Sequence, residues 1–329
     1  MFVLQRVGQA LIVVWAAYTL TFLLIEIVPS DPISIVLANP DSGLTEAAAE
    51  QLRSYYGLDQ PLIVRYVSQL LSIVSGDLGV SISKGVPVTS LLLTALPQTL
   101  VLAVVSLLLA VVASAALAVL AVYLPWTRIR AVIAAVPPFL SSIPSFLVGV
   151  LIIQYFAFAT RLIPPVDDGS LAALIGPAVT LAIAITPSLA QVLIASLEQI
   201  DRQPFVDVVL AKGAGRWAVL RRHVFRNSIL PWVTILGLTF GELLAGSIIT
   251  ETVFSRGGLG RTIEAAVSTQ DMPVIQGAVL IIAALFVVIN LVVDLSYPLL
   301  DPRLRLHRVA RTRRTRIAVL PDELVGASR

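Results

Sequence analysis

The apolar residues of the chain are concentrated in six long runs that contain few charges. A helix crosses the hydrocarbon core of a bilayer with about 20 apolar residues, and each run reaches that length. The pattern therefore predicts an all-α integral membrane protein with six transmembrane helices, at residues 8–29, 98–123, 132–158, 171–197, 229–250 and 274–297.

The first run, GQALIVVWAAYTLTFLLIEIVP, lies near the N-terminus, where a secretory signal peptide would also be found. It is longer than the roughly 7–15 apolar residues of a signal peptide, and no A-x-A-like cleavage site follows it. We therefore expect this run to be retained as the first transmembrane helix.

The longest polar connection, residues 30–97, separates the first two runs. Within it, TEAAAEQLRSYYG predicts a short helix that Thr45 caps and Gly57 ends. PLIVRYVSQLLSIVSG predicts a second helix, with Pro61 at its start and Gly76 at its end. Neither is long enough to span, so both are expected on the outer membrane face or against a neighbouring helix.

Positive charges are distributed unevenly between the connections. If the N-terminus is cytoplasmic, the inside connections hold 17 of the 23 Lys and Arg residues, and the outside connections hold six. Basic residues favour the cytoplasmic side of a membrane protein. We therefore predict an N-in, C-in topology, in which the inside segments are 1–7, 124–131, 198–228 and 298–329.

Composition supports a membrane protein and excludes several kinds of chemistry. Of the 329 residues, 57% are hydrophobic and 13% are charged, whereas a soluble domain carries about 25% charged residues. The chain has no cysteine, which excludes disulfides and thiol catalysis. His223 and His307 lie far apart, so no metal site is expected. Since no G-x-x-x-x-G-K-[ST] phosphate loop is present, the chain is expected to bind no cofactor itself.

Residues 201–231, DRQPFVDVVLAKGAGRWAVLRRHVFRNSILP, form a long basic segment between the fourth and fifth runs. Pro204 suits the first turn of a helix, and Gly213 and Gly215 are placed to end it. WAVLRRHVF predicts a second, amphipathic helix, after which Pro231 is expected to open the fifth span. On pattern alone, two interpretations stay open: the loop lies on anionic lipid, or it docks into a groove of a cytoplasmic partner.

The same segment resembles the cytoplasmic coupling loop of ABC-importer permeases, in the form usual for the peptide/nickel branch. The general E-A-A triplet of the wider family is absent, since Asp207, Val208 and Val209 stand at its place. The positions that match the branch are Ala211, Lys212, Gly213, Arg222, His223 and the stretch NSILP at 227–231.

Further stretches resemble this dipeptide/oligopeptide/nickel branch in the same order along the chain, and most closely the first, B-type permease of its pair. They are residues 27–32, 55–88, 143–153, 251–267 and 289–305. We therefore expect a permease domain at 1–305 and a basic cytoplasmic tail at 306–329. The tail is expected either to bind anionic lipid or to be solvated.

The resemblance implies the type I ABC-importer transmembrane fold in a bacterial or archaeal inner membrane. It also implies that the chain is itself non-catalytic and forms half of a translocation pathway. The implied partners are a second, homologous permease subunit, two cytoplasmic ATPase subunits that bind ATP and Mg, and an extracytoplasmic substrate-binding protein. The residues implied to dock on an ATPase are Pro204, Asp207, Ala211, Lys212, Gly213, Ala214, Gly215 and Arg216.

Three carboxylates, Glu26, Glu242 and Asp294, fall inside the predicted spans. A charge near the bilayer centre costs roughly 2.5–3.5 kcal/mol on insertion scales. Glu26 and Asp294 are near helix ends, where they reach an interface. Glu242 is in mid-span, so it is either a pathway residue or a partner in a packing hydrogen bond.

Two other classes of protein are alternatives to an importer permease: a secondary transporter and an intramembrane enzyme. A proton-coupled secondary transporter would use these carboxylates, although the chain shows no internal repeat of the kind common in such proteins. An intramembrane enzyme would need catalytic residues at one depth, and no paired carboxylates or H-E-x-x-H motif are found. An exporter stays open in principle, but the long outside segment and the resemblance favour import.

Small residues and prolines predict the shape of the later spans. Gly237, Gly241 and Ala245 recur at intervals of four, which allows close helix packing in the fifth span. Kinks are predicted in the third and fourth spans at Pro137, Pro138, Pro144, Pro177 and Pro187.

Overall fold

Within the described residues, the secondary structure is helical apart from one isolated bridge between Val80 and Pro87, which confirms the all-α class. The tail predicted at 306–329 lies outside these residues, and so does Gly57, the expected end of the first short helix. The computed structural model describes residues 2–27, 33–34, 37, 45–56 and 60–300.

The helices are numbered here in chain order. Two π-helical segments continue α-helices: Ile153–Ala159 follows α6, and Leu220–Val224 joins α9 to α10. The α-helices are α1 (Phe2–Ile27), α2 (Glu46–Tyr56), α3 (Leu62–Val74), α4 (Val88–Tyr123), α5 (Thr127–Ser141), α6 (Ser145–Ile152), α7 (Leu171–Asp201), α8 (Pro204–Ala211), α9 (Arg216–Val219), α10 (Phe225–Val253), α11 (Leu259–Ser268) and α12 (Met272–Leu300).

Five helical stretches of the described chain are long and apolar enough to cross a membrane: α1, α4, α7, the continuous α9–α10 unit and α12. A sixth crossing would consist of α5 and α6, which are bent by 100° relative to each other. The span predicted at 132–158 is thus divided into two helices, and the sharp bend lies at Pro144, one of the prolines at which a kink was predicted. Pro144 accounts for the break, because its φ of −58° and ψ of 132° are not helical, and a proline disfavours helix at the residue before it.

The predicted start of the fifth span at Pro231 is wrong. The helical unit begins at Arg216 and continues through Pro231 to Val253. An internal proline removes one helix hydrogen bond, yet the helix persists because Ser228 and Trp232, on either side of the proline, are buried against neighbouring helices. Tertiary packing therefore overrides the local signal.

The core lies between α4, α7 and α10, and α1 packs on α12 at its periphery. The buried face of α4 is lined by small residues, which allow the backbones of α4 and α7 to approach closely. Leucines of α7 and α10 fill the space between these helices, including Leu189, Leu193, Leu243 and Leu244. The small residues of α4 are Ala103, Ser106, Ala110, Ser114, Ala118 and Ala121.

Both short helices predicted between the first two spans are present. The backbone N–H of Ala48 donates to the Thr45 hydroxyl at 3.3 Å, which caps α2. The chain leaves α3 through Gly76, whose φ is +89°. α3 lies against α1, where the Tyr18 hydroxyl donates to the backbone carbonyl of Tyr66 at 2.9 Å.

Candidate functional site

The predicted coupling loop, residues 198–228, contains one short helix that ends at a glycine in the left-handed region. Pro204 occupies the first turn of α8, as its fixed φ favours. Gly213 has a φ of +85°, and its backbone N–H donates to the Leu210 carbonyl at 2.9 Å. The N–H of Ala214 reaches the Val209 carbonyl at 3.4 Å. These bonds satisfy carbonyls at the end of α8 and turn the chain towards α9.

The eight residues predicted to dock on a partner lie along α8, in the turn that follows it and at the start of α9. All are exposed except Ala214, which is half-buried. Two large apolar side chains on α8 are exposed beside them, Phe205 at 40% and Val208 at 54%. Trp217, on α9, is 62% exposed. The loop therefore presents an apolar surface together with its polar residues.

The opposite side of the loop is part of the helix-bundle core. Val206 of α8 is 2% exposed and belongs to the same buried cluster as α4, α7 and α10. Val219, Leu220 and Val224 belong to that cluster as well. Because these side chains are packed inside the bundle, the loop is a rigid extension of it rather than a tether.

The basic side chains of the loop point away from this core. Within the part of the chain that the structure describes, Arg202 pairs with Glu198 at 3.3 Å on the exposed surface. No carboxylate of the described residues lies within ion-pair distance of the other basic side chains. These exposed residues are Lys212, Arg216, Arg221, Arg222 and Arg226.

Two contacts that the sequence did not reveal hold the loop at its ends. The Tyr123 hydroxyl, at the end of α4, donates to Asp201 Oδ1 at 2.6 Å, at the end of α7. Ser196 of α7 and Ser228 of α10 exchange hydrogen bonds between side chain and backbone. Neither pair follows a motif, and a spacing of 32 residues between the two serines gives no local signal.

The membrane carboxylates singled out from the sequence are not brought together. Glu242 is exposed on α10. Glu26 forms an ion pair with Arg65 of α3. The side chain of Asp294 lies outside the described residues. Near Glu242, Gly241 contacts α12 closely, since a Cβ there would lie 2.7 Å from the Phe286 ring.

A different carboxylate, Glu251, is fully buried where α4, α10 and α11 meet. Its Oε1 accepts from the Thr99 hydroxyl at 2.7 Å, and its Oε2 accepts from the backbone N–H of Gly260 at 2.7 Å. The Thr99 hydroxyl in turn accepts from the N–H of Leu259 at 2.8 Å. The side chains thus satisfy N–H groups at the start of α11, where a negative charge is favourable.

Two more buried carboxylates fasten connections of the bundle. Asp271 is 1% exposed and accepts from the Ser83 hydroxyl at 2.7 Å and from the Ile82 N–H at 3.2 Å. Asp167 pairs with Arg256 Nη1 at 3.3 Å, and both side chains are about nine-tenths buried. These contacts are structural, and among the described residues no group of three or more His, Cys, Asp or Glu is arranged to hold a metal ion.

Comparison with known families covers most of the chain. The family described as "Binding-protein-dependent transport system inner membrane component" matches residues 123–306. A second family, the N-terminal region of such membrane components, matches residues 1–103. The predicted coupling loop lies inside the first match.

Two relatives match this chain over most of the length of both proteins. The chain is 32% identical to the probable peptide ABC transporter permease protein y4tP of Sinorhizobium fredii, over 92% of this chain and 99% of the relative. It is 30% identical to the dipeptide transport system permease protein DppB of Bacillus subtilis, over 88% of this chain and 93% of the relative.

A solved structure shares the fold. A chain of the MetNI methionine ABC transporter in inward-facing conformations matches with a TM-score of 0.55 and 19% identity, over 64% of this chain and 96% of that chain. Because the family and the relatives are those of binding-protein-dependent ABC transport, a secondary transporter driven by membrane carboxylates is not favoured. From the family matches and the relatives, the chain belongs to the inner-membrane components of binding-protein-dependent transport systems, as a multi-pass permease subunit of an ABC importer.

Proposed function

We propose that this permease imports peptides and receives the energy of ATP hydrolysis through α8. The relatives that match about nine-tenths of the chain are named as permeases for peptide and dipeptide transport. Their identity of 30–32% supports the same class of solute.

The exposed surface of α8 is the observation that carries the docking proposal. Phe205 and Val208 are three residues apart and therefore lie on one face of the helix. Val206 holds the opposite face in the bundle core. A short helix with an exposed apolar face, fixed at its back, fits the groove-binding mode of helix recognition. Lys212 and Arg216 flank that face with positive charge.

The proposal places α8 in the cytoplasm, with both chain termini on the same side. The excess of Lys and Arg in the corresponding segments supports this orientation. The connection between α1 and α4 then lies outside, where a substrate-binding protein delivers solute. A second, homologous permease would complete the pathway.

In this arrangement the chain performs no chemistry of its own. Two ATPase subunits would bind ATP and Mg, and closure of their nucleotide sites would move the docked α8 helices. Rigid-body motion of packed elements is a common way to transmit such a change. The exposed basic residues of the loop either contact the ATPase or lie at the lipid headgroups.

The docking proposal is tested by exchanging one exposed valine for a charge. Val208→Asp is expected to release the ATPase subunits from the purified complex and to retain the second permease, because an unpaired charge would enter an apolar groove. Val267 on α11 is a matched control, since it is 56% exposed against 54% for Val208. Val267→Asp should keep the ATPases. Retention of the ATPases by Val208→Asp would contradict docking at α8.

The solute class is tested separately in proteoliposomes that contain the complete complex and its binding protein. Uptake of a labelled dipeptide that depends on ATP is the expected result. Uptake driven by a proton gradient without ATP, or no uptake of any di- or oligopeptide tested, would contradict the proposal.

A further inference from the structure

Ser196 and Ser228 join α7 to α10 through one hydrogen bond from Ser196 and a shared one from Ser228, whose single proton lies between two carbonyls. The Ser196 hydroxyl donates to the Ser228 carbonyl at 3.0 Å. The Ser228 hydroxyl lies 3.2 Å from the Ser196 carbonyl and 2.9 Å from the Val224 carbonyl of its own helical unit. Both serines are buried, at 8% and 0% exposed. We call this pair the serine clasp.

The serine clasp differs from most buried hydroxyls of the bundle. Ser106, Thr186 and Ser247 each donate to a carbonyl of their own helix, three or four residues earlier. Such local bonds satisfy a hydroxyl in an apolar setting without linking helices. In the clasp, Ser196 instead donates across to α10, and Ser228 divides its proton between the Val224 carbonyl and the Ser196 carbonyl of α7. The clasp therefore holds the two helices in one register along their axes.

The serine clasp lies in the part of α10 where the regular α-helical hydrogen bonding is interrupted on both sides. Just before it, Leu220–Val224 is π-helical, and the Phe225 N–H donates to the Leu220 carbonyl five residues back. Just after it, Pro231 has no N–H, so the Asn227 carbonyl lacks its usual helical donor. Both features favour bending under load. Ser228 is placed between them and is tied to α7, which is continuous there.

The clasp also closes the predicted coupling loop at its base. α8 begins three residues after the end of α7, and the chain returns through α9 to α10. The end of α7 is itself bound to α4 through Tyr123 and Asp201 at 2.6 Å. A displacement of α8 therefore acts on α7 and α10, which the clasp already joins.

We propose that Ser196 and Ser228 are positioning residues for transport: they make α7 and α10 move as one body when α8 is displaced. Without the clasp, displacement of α8 would bend α10 between the π-helical segment and Pro231 and would not reach the pathway. This inference rests on the proposed docking of ATPases at α8, and it assigns a role to two buried residues that lie outside the exposed surface of α8.

The first test compares transport with ATP hydrolysis in the complete complex. In Ser196→Ala/Ser228→Ala, the ATPases should stay bound and hydrolyse ATP at a rate within about twofold of wild type. Solute transported per ATP should fall by about fivefold or more, on the scale of at least one lost buried hydrogen bond. Ser247→Ala is the control, because Ser247 is equally buried on α10 and bonds only within its helix. A wild-type ratio in the double variant would overturn the inference.

The second test uses the absence of cysteine from the chain. Ser196→Cys/Ser228→Cys should form a disulfide on oxidation, because the two side chains already reach each other's backbone. The oxidised complex is expected to transport at the rate of the reduced one, since the helices move together. Failure to form the disulfide, or its formation with loss of transport, would overturn the inference even if the alanine variants failed to fold.

These outcomes separate the inference from the proposed function. Absence of ATPases from the wild-type complex would refute docking at α8. Bound ATPases together with normal coupling in the clasp variants would refute the role of the clasp and leave docking intact.

Discussion

Glu251 of α10 accepts a 2.7 Å hydrogen bond from the hydroxyl of Thr99 on α4, and both side chains are buried to 1% exposure or less. The two residues are 152 positions apart in sequence. With the N–H groups of Leu259 and Gly260, they form a small polar centre that fixes the start of α11. These hydrogen bonds fix the position of α11 within an otherwise apolar bundle.

Removal of the Glu251 carboxylate is expected to destabilise the folded bundle. Glu251→Ala leaves the Thr99 hydroxyl and the Gly260 N–H without their acceptor, at about 1–3 kcal/mol for each buried group. Thermal unfolding in detergent should show a clear loss of stability. Glu242→Ala is the control on the same helix, and since Glu242 is exposed, its stability should match wild type. Equal effects of the two changes would contradict the role of Glu251.

Gly260 is expected to tolerate no side chain. A Cβ at this position would lie 2.4 Å from Ile248 Cα and 2.9 Å from Glu251 Oε2, and a backbone atom cannot move aside cheaply. Gly260→Ala should therefore lower the yield of monodisperse protein in size-exclusion chromatography. Gly257→Ala should not, since nothing lies within 4 Å of a Cβ there. A normal yield for Gly260→Ala would show that α11 can shift away from α10.

Two glycines of the coupling loop are expected to respond differently to alanine. Gly213 has a φ of +85°, a region that costs a side chain about 1–2 kcal/mol, whereas Gly215 has a φ of −67°. Neither has a neighbour within 4 Å of an added Cβ, so the difference is purely one of backbone conformation. Gly213→Ala should reduce the fraction of complex that retains ATPases, and Gly215→Ala should not. Identical retention would contradict a fixed turn at Gly213.

The start of α7 is expected to lose stability in acid. Hydrogen bonds from Ser170, first from its side chain and then from its backbone, hold the pKa of Asp168 below its ordinary value. A carboxylate with a lowered folded-state pKa stabilises the fold above its unfolded pKa, and this contribution is lost as the pH falls through the folded pKa. Asp168→Asn should remove this part of the acid dependence. Hydrogen exchange of the Ser170 amide, compared at neutral and acid pH, measures this loss of stability at the start of α7. If Asp168→Asn lost as much protection in acid as the wild type, Asp168 would not be its cause.

Several features of the protein follow from local sequence pattern. Long apolar runs are sufficient to identify membrane helices, because a bilayer requires internally satisfied backbone over a known thickness. The end of α8 at Gly213 and the cap of α2 at Thr45 were also predicted, since both depend on backbone rules within a few residues. Resemblance in the coupling loop and five other stretches indicated the transport family that the comparisons then established.

Features that depend on contacts between distant residues were not predicted. Glu251 lies just beyond the predicted fifth span, 229–250, and was not singled out, although it is buried where α4, α10 and α11 meet. Glu242 was singled out because it lies in mid-span. The fifth span was expected to begin at Pro231, but packing around Ser228 and Trp232 carries the helix through it. In each case a local rule was outweighed by the tertiary environment.

By itself, the sequence determined that the chain is a membrane protein, where its apolar helices lie and which loop carries the family pattern. These properties depend on hydropathy and on turns, which act over a few to about 20 residues. Only the tertiary structure decided which polar side chains are partners: Ser196 with Ser228, and Thr99 with Glu251. A hydrogen bond between helices depends on their register and distance, and both are set by packing of the whole bundle rather than by either segment alone.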